Sequence, residues 1–164
     1  MAGVDEVLRN AREAMLSGRY DESLEGYLKA LEAGVESVSV LNALGFLLYF
    51  KGDYVRGLGY CERAVEISPD DAYARKGLGL HLAKMGRKDD AVASVLRAIE
   101  LDPDFIDAYH DLAFIYYESG DFASAREWLK RGVERCRDVR GREMFERFFR
   151  RLDDISQKGS MKKG

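Results

Sequence analysis

Asp107, His110 and Asp111 stand at i, i+3 and i+4. On a helix that spacing puts three side chains on one face, and carboxylate oxygens beside an imidazole nitrogen form a donor set that a transition metal accepts. A metal site needs further convergent ligands, however, and no second ligand pair accompanies these three. They read as a solvated acidic helix edge with one exposed histidine. The chain has no Gly-rich phosphate loop, no cysteine pair at metal-ligand spacing and no acid/base pair in a recognisable frame. No catalytic residue, metal or cofactor is expected, and the chain does not read as an enzyme.

The elements that position these residues recur along the chain. Gly18, Gly52, Gly86 and Gly120 are spaced 34 residues apart, and Pro69 and Pro103 keep the same interval. Each glycine follows a stretch in which positions 4, 7, 8 and 11 of its unit fall on one face at helical spacing, and a positive φ there ends a helix and turns the chain back. Each proline pushes the residue before it out of the α region and stops the next helix. Gly34 does that work in the first unit, while the fourth has Arg137 where a proline would stand, so its second helix is expected to run on or bend into the next one.

Laid over one another in frames 4–37, 38–71, 72–105 and 106–139, the units show three columns of small residues. Position 8 reads Ala11, Gly45, Gly79, Ala113; position 20 reads Ser23, Gly57, Ala91, Ala125; position 27 reads Ala30, Ala64, Ala98, Gly132. Small side chains there let helix backbones approach closely while larger ones at positions 4, 7, 11 and 24 fill the surrounding space. Asn10 at position 7 and Arg75 at position 4 depart from the pattern, and the first unit is the weakest. His81, at position 10, falls inside the packing between units and reads as a satisfied core residue.

A 34-residue period with these columns resembles the tetratricopeptide-repeat family. The resemblance implies an all-α fold, a right-handed superhelix of antiparallel helix pairs forming a single domain over residues 4–155. Beyond the repeats, Met144, Phe145, Phe148, Phe149, Leu152 and Ile155 share one helical arc, with arginines and glutamates around the rest. Residues 141–155 therefore read as an amphipathic helix that caps the open end of the stack. Residues 156–164 read as a disordered tail.

At 164 residues, with 46% hydrophobic and 34% charged, the chain is expected to form one domain. No apolar run reaches the ~18 residues that span a bilayer, and the start lacks a basic-then-apolar signal pattern, so a cytoplasmic location is expected. Cys61 at core position 24 and Cys136 lie two units apart, too far to bridge, and both are expected as thiols. Net charge is −3, but residues 1–125 carry 13 Lys and Arg against 22 Asp and Glu, whereas residues 126–151 carry 10 against 5. An acidic scaffold ends in a basic helix, and a third, weaker reading is that its arginines touch nucleic acid or an anionic membrane, which they permit but do not require; nucleic acid is not expected as a partner and no membrane span is expected.

The resemblance also implies that positions 2, 5, 6, 9, 12 and 13 of the first helices line a concave groove. In the first unit these include Arg12 and Met15; in the second, Asn42, Phe46, Tyr49 and Phe50. The third brings Tyr73, Lys76, Leu80 and Lys84, and the fourth His110, Phe114 and Tyr117. Helix 38–50 is apolar nearly all round, as a helix that is buried or meets a partner would be. The two-carboxylate clamp by which some family members hold acidic chaperone tails is absent, since Leu8, Arg12, Ala43, Tyr73 and Gly77 occupy its positions. The expected function is a scaffold that binds a protein segment or short helix with large apolar side chains. The alternative is a homo-oligomeric assembly module built on the same surfaces.

Overall fold

The computed structural model describes residues 3–161, and every regular element within them is an α-helix. Helices α1 (Val4–Leu16) and α2 (Tyr20–Glu32), α3 (Val38–Lys51) and α4 (Tyr54–Ile67), α5 (Ala72–Lys84) and α6 (Lys88–Leu101), and α7 (Ile106–Glu118) and α8 (Phe122–Arg135) form four hairpins. Each packs on the next, and α9 (Val139–Met161) closes the stack against α8. This is the α-solenoid that the 34-residue period implies.

The turns are built as the glycine spacing predicts. Gly18, Gly52, Gly86 and Gly120 have φ between 73° and 80°, and Gly34 has φ of 87°. A side chain at these positions would be strained whatever the surrounding space. Asp53, Asp71 and Asp121 accept hydrogen bonds from the backbone N–H groups of Arg56, Ala74 and Ser124, so three helices start on an aspartate cap. Ser37 caps α3 in the same way through Val40.

The small-residue columns mark the closest helix contacts. A Cβ placed on Gly45 would lie 2.6 Å from the sulfur of Cys61, and one on Gly79 would lie 2.5 Å from Val95. At Gly57 the space is taken by the His81 ring, 2.1 Å from where a Cβ would be. Side chains therefore fill the bare backbone of a facing helix, within a hairpin at Gly45 and Gly79 and between hairpins at Gly57, and successive core clusters bury Leu44 and Leu48, then Leu82, Val95 and Leu112, then Leu129.

Three expectations meet a different outcome. Helix α8 neither runs on nor bends: it stops at Arg135, Cys136 is extended, and Asp138 accepts from the Gly141 N–H at 2.8 Å to start the next helix. The terminal helix also begins before residue 141 and continues past 155 to Met161, so the tail expected to be disordered falls partly within α9. Its end, residues 162–164, lies outside the described residues. His81 is a core residue, but only half satisfied: Nε2 pairs with the Gly45 carbonyl at 3.0 Å, while Nδ1, which faces the Tyr54 backbone, completes no hydrogen bond of ordinary geometry.

Candidate functional site: the concave groove

Helix α3 has no polar side, and the hairpin packing shows why. Leu41, Leu44, Leu47 and Leu48 are fully buried against α2, α4 and α5, while Phe46 and Tyr49 are half-buried and Phe50 is 57% exposed. One apolar stripe of α3 belongs to the core and the other faces the groove.

The groove holds three adjoining hollows. The central one, about 290 Å³, lies across α3, α5 and α7 and is lined by aromatic and aliphatic groups, among them Phe46, Phe50, Tyr73, Leu80 and Phe114. Its floor includes Gly45, Gly77, Cys61 and His81, so the same bare backbones that admit close packing also let the hollow reach inward. The second hollow, about 840 Å³, lies toward α1 and takes in Arg12, Met15 and Leu16. It shares Asn42, Phe46 and Tyr73 with the central one. The third, about 310 Å³, lies between α7 and α9 and shares His110 and Phe114 with the central one.

Rings hold one another in place along this face. Phe46 and Phe50 sit 4.7 Å apart and both meet Tyr20, a second-helix residue outside the expected groove positions. Tyr73 stacks on Phe105 at 6.2 Å. Burial pushes the Tyr49 phenol up to about 12, with the charges of Asp111 and Glu118 adding to the effect, and burial also raises Tyr73. Both stay neutral at physiological pH and can donate or accept a hydrogen bond at the rim of an apolar slot.

The charges of the central groove cancel between repeats. Lys76 pairs with Asp111 at 3.3 Å and Lys84 with Glu118 at 2.7 Å, in each case reaching from α5 to α7. Lys76 also lies over the Tyr73 and Phe105 rings, and Lys84 over Phe114. Neither ammonium is left as an open anion receptor. Asn42 donates from Nδ2 to Asp71 at 3.3 Å, which leaves its buried Oδ1 without a hydrogen-bond partner.

Of the side chains expected in the groove, nine line the central hollow: Asn42, Phe46, Tyr49, Phe50, Tyr73, Lys76, Leu80, His110 and Phe114. Arg12 and Met15 line the hollow toward α1. Lys84 stands at the rim in its pair with Glu118, and Tyr117 lies beneath α9, edge-on to Phe148 and covered by the Arg151 guanidinium at 5.0 Å. Sequence reasoning placed no residue of α9 in the groove, yet Met144, Arg147, Phe148 and Arg151 form one wall of its third hollow. The signal was present as an arginine pair four residues apart beside Met144 and Phe148, but a repeat frame assigns no groove position outside the repeats.

Asp107, His110 and Asp111 do not converge. Asp111 turns to Lys76, with its other oxygen 3.7 Å from His110 Nδ1, and the imidazole packs against the rings of Phe145 and Phe148. Among the described residues no group of three or more His, Cys, Asp or Glu is arranged to hold a metal ion, and no helix is long and apolar enough to cross a membrane.

Sequence models of known families match over most of this length. Two described as "Tetratricopeptide repeat" match residues 8–72 and 105–143, and one described as "TPR repeat" matches residues 81–120. Among curated proteins, the TPR repeat-containing thioredoxin TTL4 of Arabidopsis thaliana is 34% identical over 85 residues, which is 52% of this chain and 12% of that protein. The peroxisomal targeting signal receptor of Candida glabrata is 28% identical over 136 residues, 78% of this chain and 23% of the receptor. The chain thus spans less than a quarter of the length of these curated relatives. Among solved structures, YrrB, described as a TPR protein with an unusual peptide-binding site, superposes with a TM-score of 0.70 at 26% identity, covering 85% of this chain and 72% of that one. MamA from Desulfovibrio magneticus RS-1 superposes with a TM-score of 0.71 at 21% identity over 80% of this chain and 75% of that one, a likeness of fold.

Proposed function

The chain belongs to the tetratricopeptide-repeat family, and on that premise we propose that it is a protein-interaction scaffold whose concave groove binds a partner segment through large apolar side chains. The observation that carries this reading is the central hollow, lined by Phe46, Phe50, Tyr73, Leu80 and Phe114 while the nearby lysines are already paired. Aromatic groups bury much area with few rotors to freeze, so they suit an anchor site. A hollow of this size accepts one large side chain. The peptide-binding site attributed to YrrB, at 26% identity, supports a groove that works on peptides. The ligand is an extended segment or short amphipathic helix laid along the groove.

A second copy of the chain is the competing occupant, favoured by Leu16 and Phe50, which are 81% and 57% exposed. Light scattering separates the two readings, since a stable dimer that buries Phe50 leaves no groove for a segment. For the scaffold reading, affinity for a peptide selected from a displayed library is measured for Phe50→Ala and Tyr73→Ala beside the convex control Glu25→Ala, with melting curves confirming that all three fold. Loss of about 2 kcal/mol or more is expected where the ring is an anchor. Normal binding by both groove variants would remove the groove from the function.

A further inference from the structure

The third hollow differs from the other two in charge. His110, Arg147 and Arg151 face it across Phe114, Met144 and Phe148, and no carboxylate is among its lining residues. Some arginines on these two last helices are matched, Arg126 by Asp153 and Arg131 by Glu127 while lying over Trp128, whereas Arg140, Arg142 and Arg150 have no acidic partner among the described residues and line none of the hollows. Arg147 has no acidic partner among the described residues, and Arg151 rests only on the Tyr117 ring. The two guanidinium groups stand at i and i+4 on α9, where like charges repel each other and the helix gains nothing from the placement. His110 has Asp111 3.7 Å away, but that carboxylate is shared with Lys76 and lies outside the hollow.

This cationic hollow is continuous with the apolar one, because His110 and Phe114 line both. A ligand seated in the central hollow and running toward the C-terminal end of the stack must pass Arg147 and Arg151. Guanidinium groups match carboxylates in geometry and are weakly hydrated, so the site suits an acidic side chain better than a neutral one. Resting on the groove reading above, we propose that the partner segment carries an acidic residue at a fixed distance from its apolar anchor, and that α9 reads it through Arg147 and Arg151. The helix that caps the solenoid is thereby also a specificity element, and the arginines act on a peptide rather than on a lipid or nucleic-acid surface.

The test is selection of short random peptides displayed on phage, run in parallel against wild-type protein and against the charge-reversed variant R147E/R151E, both shown folded by circular dichroism. The wild-type pool is expected to converge on a large apolar residue with Asp or Glu at one offset. The reversed pool should keep the apolar position and replace the acid by Lys or Arg. The milder variant R147Q/R151Q should weaken the selected acidic peptide by about tenfold without changing its affinity for the same peptide with the acid made neutral. An apolar consensus with no acidic position, or one unmoved by charge reversal, would overturn the role of α9 while leaving the groove reading in place. Failure of both pools to converge would overturn the two together. Binding to phosphatidylserine vesicles that is lost in R147E/R151E, with no acidic peptide selected, would assign the arginines to a membrane and refute the proposal.

Discussion

Phe145 lies directly over Gly132, so close that a Cβ added to the glycine would come within 2.3 Å of the ring. The contact joins α9 to α8 at the point where position 27 of the last repeat is empty of side chain, and the ring is fully buried there. Alanine is normally favoured over glycine in a helix interior by about 1 kcal/mol, so with free space Gly132→Ala would stabilise. Here the ring has nowhere to go, and the sign is expected to reverse. Phe145→Ala should cost about 3–5 kcal/mol, the usual range for emptying a buried aromatic site. Chemical denaturation of both variants measures this. A more stable Gly132→Ala protein would show that α9 does not seat on that glycine in solution.

A second prediction concerns pH. Burial lowers the pKa of His81 from its ordinary 6.5, only partly offset by the Gly45 carbonyl, the Tyr54 backbone and the charge of Asp53. The unfolded chain therefore takes up this proton at higher pH than the folded one does. The stability gained by keeping the ring neutral is fully present above the unfolded value and drains away as pH falls through it, until the folded ring also protonates. Between about pH 7.5 and about pH 5.5, above the range where carboxylates titrate, the melting temperature should fall more for wild type than for His81→Gln. Equal slopes would mean that the ring protonates in place without cost.

The groove ion pair between Lys76 and Asp111 is largely shielded from water, with side chains 13% and 19% exposed. Removing one partner leaves the other charge poorly solvated. Asp111→Asn is expected to destabilise by about 1–2 kcal/mol, whereas the double change Lys76→Met with Asp111→Leu should come close to wild type. A double-mutant cycle on urea midpoints reads the coupling directly. If the single change is silent, the pair opens to solvent and the groove lysine is available to ligands after all.

Cys61 forms part of the floor of the central hollow, yet burial pushes its thiol up to about 12. The thiolate is the reactive form, so a thiol reagent such as Ellman's should find Cys61 inert near neutral pH. Cys136 is equally buried. Both should react stoichiometrically once the protein is unfolded in guanidinium. Rapid labelling of a thiol in the folded state would reveal that the floor of the groove opens.

Legibility from sequence followed the repeat. Gly52 and Gly120 announce turns because only a positive φ closes them, and Pro69 announces the end of α4 through its own ring. The groove positions on α3, α5 and α7 are equally legible, because one frame carries from hairpin to hairpin: Phe46, Leu80 and Phe114 share position 9 and line one hollow. What could not be read is whatever depends on register between elements that share no frame. Nothing in the pattern of α9 says that Phe145 finds Gly132, and without that seat the direction of Arg147 and Arg151 is undetermined. The ion pairs were hidden for a similar reason: Lys76 and Asp111 are 35 residues apart, one repeat and one further step along the helix, and each alone reads as a solvated rim charge. Tyr20 was missed because it sits at the start of a second helix, where its ring leans over the turn onto Phe46 and Phe50.

The seat of Phe145 on Gly132 also governs how such a molecule can be lengthened. It occupies the flank on which a fifth hairpin would dock, so duplication at that end would have to displace α9. Between α6 and α7 no such obstacle exists. A copy of residues 72–105 inserted there would leave α7, α8 and α9 undisturbed and carry the aromatic face of α3 about 10 Å farther from the arginines, one helix-packing distance. Spacing between the two ends of the groove is thus quantised in whole hairpins, and a family of chains built on this plan would measure its partners in discrete steps, as a ruler with one fixed end.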